Sequence, residues 1–346
     1  MPLAVYDIGF ERRSVCGLAF SLAYLPVLLY SLFVWWLDRY EKEPKRLIFA
    51  AFFWGMLPAV VLAVLAEVAL EPPIEEGLFR DLITGSLIAP IAEETAKGLF
   101  LLLLFWFQRR EIDSLYDGFL YGSLVGFGFE AAENFLYLIA AGEEGGQEAL
   151  LGLALIRVGL FGLSHAVFTG FAGLGLAAAR LSPHRVLRLV APVGGWGTGV
   201  ALHAFHNGML SVLGHLEAST EITVLGFLSV VAANWMGLLM VLLLASWGLY
   251  RERMWITRYL REEVNAGILP EPLYRECRSV WRRGVRRWQA LLRGNWREWR
   301  RLGHLYGVAV ELAFRKHQRE ALGETRWEPE ITRLREELAR LTQRRV

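Results

Sequence analysis

Seven apolar runs of about twenty residues or more alternate with short polar loops over the first 250 positions, at roughly 15–37, 47–70, 82–107, 115–141, 150–180, 189–213 and 222–250. A helix rises about 1.5 Å per residue and the hydrocarbon core of a bilayer is about 30 Å thick, so each run predicts a membrane-spanning helix. Beyond position 250 the pattern changes. Trp281, Val285, Trp288, Leu292, Trp296 and Trp299 recur at three- and four-residue steps, which predicts one amphipathic helix over 275–314. Ile331, Leu334, Leu338 and Leu341 repeat that spacing in a terminal helix suited to a short coiled coil or a docking contact. The predicted fold is all-α: a polytopic membrane bundle of about seven spans over 1–250, followed by a basic, Trp-rich helical region over 251–346.

Composition agrees with a membrane protein. Of the 346 residues 54% are hydrophobic, and the mean hydropathy is +0.34. The net charge of +2 hides an asymmetry: residues 1–250 hold 14 Lys and Arg against 22 Asp and Glu, and residues 251–346 hold 23 against 13. Two cysteines, Cys16 and Cys277, exclude a disulfide framework and read as free thiols. The first apolar run is longer than a signal-peptide core and ends in Trp35-Trp36 and a charged stretch, so it reads as the first span.

Loop charge predicts the orientation. Arg39, Lys42, Lys45 and Arg46 follow the first span, Arg109 and Arg110 the third, Arg180, Arg185 and Arg188 the fifth, and Arg251, Arg253, Arg258 and Arg261 the seventh. The opposite loops carry Arg80, then no Lys or Arg in 142–149 or 214–221. The positive-inside rule places the basic side in the cytoplasm, with the N-terminus outside; Arg12 and Arg13 oppose this and are outweighed. Counted from the outer ends of their spans, the polar groups below fall within ~12 Å of one another in height.

Those groups interrupt four of the apolar runs: Glu93, Glu94 and Lys97 in the third, Glu130 and Glu133 in the fourth, His165 in the fifth, and His203, His206 and Asn207 in the sixth. An ionisable side chain at the centre of a bilayer costs a few kcal/mol or more, so it faces a bundle interior or a wet cavity. Glu93 and Lys97 stand i, i+4 and pair along one face, leaving Glu94 directed elsewhere. Glu130, Glu133 and Tyr137 share a face, and glycines 118, 122, 126 and 128 admit close helix neighbours. Pro90 marks a kink near the first motif. His203 and Asn207, at i, i+4, suit a metal ligand beside an oxyanion donor. No HExxH motif, Gly-rich phosphate loop or Cys-His finger occurs. A metal would therefore be assembled from separate helices, and carboxylate with neutral imidazole suits Zn²⁺.

The motifs AEETAK (92–97), FEAAENFLY (129–137), HAVFTG (165–170) and HAFHN (203–207), with the loop Asp38–Pro44, resemble the successive motifs of the PrsW family over about residues 30–250. These are intramembrane proteases related to CAAX-processing and bacteriocin-processing enzymes, which usually have His where this chain has Glu133. The resemblance implies site-1-type cleavage of membrane-anchored proteins such as anti-sigma factors in a bacterial cytoplasmic membrane, with Glu93, Glu94, Glu133, His165 and His203 in the active site.

The combined expectation is a membrane metalloendopeptidase. Glu133, His165 and His203 hold the metal, Glu93 or Glu94 acts as base, Lys97 balances charge and His206 or Asn207 steadies the oxyanion. A metal-free site, with Glu and His alone activating water, is the variant. A proton- or cation-coupled transporter is the alternative that the same cluster admits, although no internal repeat supports it. For the tail, tryptophans interleaved with eight arginines over 282–301 predict contact with an anionic membrane surface. A soluble domain with a tryptophan core is the competing expectation, and nucleic acid is not an expected partner.

Overall fold

The computed structural model describes residues 2–37, 43–215, 220–323 and 325–343, with side chains from Ser14 onward apart from those of 245, 321 and 322. Asp38–Lys42 of the first loop, the side chains of Arg12 and Arg13, and positions 216–219 lie outside the described residues. Every regular element among the described residues is helical. The chain divides into two compact units, one made of Met1–Leu37, Glu43–Arg180 and Val186–Leu244, the other of the chain from Ala245 with Leu181–Arg185.

The first unit contains α1 (Pro2–Leu37); α2 (Lys45–Trp54) and α3 (Val60–Ala69), joined by a π-helical turn at Gly55–Ala59; α4 (Leu78–Ile83) and α5 (Ala89–Phe107), joined by a second π turn at Thr84–Ile88; α6 (Leu115–Ala154); α7 (Ser164–Leu181); α8 (Arg185–His215); and the start of α9 (Thr220–Asn265). Among the described residues four stretches are long and apolar enough to cross a membrane: Ser14–Leu37, Lys45–Ala69, Leu115–Leu181 and Thr220–Asn265. Their outer faces are apolar, with Leu29, Phe33, Phe49, Leu65 and Val68 all exposed. A soluble surface would not leave so much contiguous hydrocarbon in water.

Helix α6 is the central element. Ser114 and Asp117 form a reciprocal capping box that starts it, and residues 116–131 are buried throughout. Its glycines let other backbones touch it. A Cβ on Gly173 would stand 1.9 Å from the carbonyl oxygen of Gly118, and one on Gly126 would stand 2.3 Å from that of His165. This small-residue seam brings α7 against α6 and carries His165 up to Glu130 and Glu133.

The fifth apolar run departs from an uninterrupted 150–180 span. The chain turns at Gly146 (φ 69°, ψ −163°), and Leu150 and Ala154 then pack with Leu138 on the other arm. After a π-helical segment, Leu155–Leu160, regular helix lapses at Phe161–Leu163 and resumes with α7. His165 is therefore the second residue of a helix rather than a mid-helix position. In place of the kink expected near Pro90, the structure has a π segment, Thr84–Ile88, immediately before α5, and Pro90 sits in the first turn of that helix.

In the second unit the end of α9 joins α10 (Glu271–Cys277), α11 (Val280–Leu292), α12 (Trp296–Leu322) and α13 (Glu328–Gln343) around a core that includes Ile256, Leu260, Leu273, Leu305, Leu312 and Trp327. Lys316 is buried between Glu262 and Glu263, 2.5 and 2.6 Å away, and Arg335 also binds Glu263. The expected single helix over 275–314 is instead two. Gly294 takes φ 69°, a left-handed conformation that ends α11, and Asn295 caps α12 through Oδ1. Ile331, Leu334 and Leu338 of α13 are buried in this core, so the terminal helix docks within its own unit. The tryptophans divide: Trp327 is buried and Trp299 packs against the core, whereas Trp281, Trp288 and Trp296 are 78%, 64% and 59% exposed.

Candidate active site

Four elements of the first unit deliver polar side chains to one place. Helix α5 supplies Glu93, Glu94 and Lys97, all buried. Lys97 Nζ lies 3.1 Å from Glu93 Oε2, 2.7 Å from Glu94 Oε1 and 2.8 Å from His165 Nδ1, and sits 3.8 Å above the ring of Phe129. Its three donors are thus satisfied. Thr169 of α7 donates to Glu94 Oε2 at 2.8 Å, and His203 Nδ1 lies 3.2 Å from Glu94 Oε1. The rings of His165 and His203 meet edge to face with centroids 4.9 Å apart. Phe168 stacks on His203.

Glu133 reaches the opposite edge of His165, with Oε2 2.8 Å from Nε2. Glu130 accepts a hydrogen bond from Asn134 at 2.8 Å and one from the backbone N–H of His165 at 3.5 Å. It thereby occupies the N-terminal turn of α7, where unpaired N–H groups favour an anion. Asn207 lies on the wall of the same cavity but donates to Gly85 O at 2.9 Å, fastening α8 to the π segment before α5. His206 pairs with Asn234 of α9 at 2.9 Å.

A cavity of about 320 Å³ adjoins this cluster, with Glu133, Arg157, His165, His203, His206 and Asn207 on its walls. The break at Phe161–Leu163 borders it. Irregular backbone at membrane depth is tolerated where it lines such a space, because the freed peptide groups find polar partners there. Ser164 Oγ, at the restart of the helix, donates to Asn234 Oδ1 at 2.7 Å.

Three participants were not singled out from the sequence. Arg157 places Nη2 3.0 Å from Glu133 Oε2 and donates from Nε to Asn134 Oδ1 at 2.8 Å. Its signal was available, as the one Lys or Arg within 150–179. Thr169 and Asn234 carried no comparable signal, since hydroxyls and amides are common helix-to-helix contacts in membranes.

The donor set fits a cation. One ligand atom from each of Glu93, Glu94, His165 and His203 lies within 4.8 Å of the others, and all four residues are buried. The Lys97 ammonium already sits among three of them. Carboxylate and imidazole donors of this kind suit Zn²⁺.

Known proteins are similar to the stretch of chain that holds this cluster. A model of the PrsW family intramembrane metalloproteases matches residues 43–236, within the span that contains every one of these side chains. The chain is 29% identical over 161 residues to protease PrsW of Bacillus subtilis (strain 168), covering 45% of this chain and 68% of that protein. It is 31% identical over 150 residues to protease PrsW of Geobacillus kaustophilus (strain HTA426), covering 42% and 59%. The corresponding protein of Halalkalibacterium halodurans is 29% identical over 196 residues, covering 55% and 82%. No solved structure matches the chain. A family match over more than half of the sequence that encloses the clustered carboxylates and imidazoles places this chain in the PrsW family of intramembrane metalloproteases.

Proposed function

We propose that this chain hydrolyses peptide bonds of membrane-anchored proteins, anti-sigma factors among them, at the cluster of Glu93, Glu94, His165 and His203. The observation that carries the reading is that these four residues, on three helices, are buried together beside a cavity large enough for a short peptide segment. His165 and His203, with a carboxylate, would hold Zn²⁺, which when bound lowers the pKa of a water and polarises the scissile carbonyl. Glu94 Oε1, bonded to Lys97 and His203, is the oxygen best supported to take the water's proton, with Glu93 as its neighbour. Lys97 balances the two carboxylates. Asn207 keeps a second Nδ2 hydrogen beyond the one given to Gly85 O, and this is the donor assigned to the developing oxyanion. A metal-free variant has one observation in its favour: Lys97 Nζ bonds three of the residues that a metal would need.

The surrounding architecture in this reading is a catalytic bundle over 1–250 and a tail over 251–346. Seven passages are supported by the length of Leu115–Leu181, whose 67 residues would extend about 100 Å as one helix, and by its turn at Gly146. Loop charge supports a cytoplasmic C-terminus, and the exposed tryptophans of α11 among arginines support contact of the tail with anionic lipid.

The test is cleavage of a single-span reporter by reconstituted protein. Glu94→Gln and His203→Ala should each lower the rate by on the order of 10³-fold or more, with membrane insertion and helix content unchanged. Parental rates in both variants overturn the reading, and zinc analysis of the active preparation decides between the metal and metal-free forms.

A further inference from the structure

The partners of His165 determine which ring nitrogen holds its hydrogen. An ionised carboxylate only accepts, and Glu133 Oε2 lies 2.8 Å from Nε2. An ammonium only donates, and Lys97 Nζ lies 2.8 Å from Nδ1. Both contacts require a hydrogen on Nε2 and a lone pair on Nδ1. That lone pair faces the position between Glu93 and Glu94 that the Lys97 ammonium takes, each carboxylate with an oxygen 4.0 Å from Nδ1. Glu133 is on the far side of the ring from that space.

Arg157 holds Glu133 there. Its Nη2 is 3.0 Å from Oε2, the same oxygen that faces His165 Nε2. The rest of the guanidinium rests on neighbours of Glu133 along α6: Nε donates to Asn134 Oδ1, and Cζ lies 4.1 Å from the ring centre of Tyr137. Arg157 stands just before the break at Phe161–Leu163 and His165 just after it. The two ends of the interrupted helix are thereby tied to one carboxylate.

We propose that Glu133 and Arg157 are positioning residues for His165: Glu133 holds the Nε2 hydrogen, Arg157 holds Glu133, and the imidazole presents Nδ1 to a cation between Glu93 and Glu94. This rests on the reading of that space as the hydrolytic centre, and it moves Glu133 from the metal-ligand set to the shell behind His165. A histidine that binds a metal through one nitrogen commonly gives its other N–H to a carboxylate, and loss of that partner weakens metal binding by about 10- to 100-fold.

The experiment uses the full chain in lipid nanodiscs and reads three signals other than cleavage. In metal-free protein labelled with ¹⁵N-histidine, with His165 identified by the signal missing from His165→Gln, the ring should be neutral with the hydrogen on Nε2. A hydrogen on Nδ1, or a charged ring, overturns the proposal whether or not the site binds metal. Zinc affinity, measured by competition with a chelator, should fall about 10- to 100-fold in Glu133→Gln and Arg157→Gln and recover in Arg157→Lys. Affinities within twofold of the parent in both Gln variants overturn it. X-ray absorption at the zinc edge should show the same ligand count in parent and Glu133→Gln, and loss of an oxygen ligand in the variant makes Glu133 a metal ligand and overturns the proposal. A chain that binds no zinc, yet has the expected His165 ring, refutes the metal reading of the site and leaves the positioning pair standing.

Discussion

Lys97 is the residue on which the charge of the site turns. It is fully buried and bonds Glu93, Glu94 and His165 at once. Its pairing with Glu93 was legible from the i, i+4 spacing. Its contacts with Glu94 and with the imidazole from α7 were not, because one helix repeat says nothing of a side chain arriving from another helix. Removing one partner of a buried ion pair leaves an uncompensated charge and typically costs about 3–5 kcal/mol. Lys97→Met should therefore lower the unfolding temperature of metal-free protein by several degrees. Zinc should raise it more in the variant than in the parent, since a divalent cation takes over the role of the ammonium. Equal unfolding temperatures in parent and variant without metal would show that the two carboxylates do not depend on Lys97.

At the scale of elements, the apolar runs and their polar interruptions were readable, and the breaks were not. Gly162 is the only conventional breaker at 161–163, in an otherwise apolar context, so nothing local announced that His165 starts a helix. Gly294-Asn295 is a stronger signal, a helix-ending glycine followed by a capping side chain, which the tryptophan periodicity runs across. The split matters for α11. At 100° per residue, Trp281, Val285, Trp288 and Leu292 fall within roughly 60° of arc, and all four are exposed. Arg282, Arg286 and Arg293 flank one side of that stripe, and with Arg297 and Arg300 they make no ion pair among the described residues. An apolar stripe beside unpaired guanidinium groups matches an anionic lipid surface, where each charge contributes on the order of 1 kcal/mol. A nitroxide on Trp288→Cys, in protein carrying Cys16→Ser and reconstituted in vesicles, should sit at lipid depth with anionic lipid and move into water with neutral lipid or high salt. A probe that stays in water in both lipids would refute lipid contact by α11.

For the molecule as a whole, the family match ends at residue 236, so the placement of the C-terminal unit rests on charge and topology. Residues 251–346 carry ten more basic than acidic side chains, and the loops at 109–110 and 180–188 are basic while 142–149 is acidic. In the proposed topology an odd number of spans separates the two termini, and that count depends on Leu115–Leu181 crossing twice, with its turn at Gly146. Arg110 and His184 should then face the cytoplasm and Glu144 the outside. All three are exposed and can be replaced one at a time by cysteine. The background is favourable: Cys277 is buried, which pushes its thiol up to about 12 and keeps it unreactive near neutral pH, so Cys16→Ser leaves little competing reactivity. In sealed right-side-out vesicles an impermeant maleimide should label Glu144→Cys at once, and should label Arg110→Cys and His184→Cys only after the membrane is opened. Labelling of all three from the same side would remove the double crossing, reduce the span count and return both termini to one face of the membrane. The opposite pattern, with Glu144→Cys alone protected, would keep the double crossing and invert the orientation.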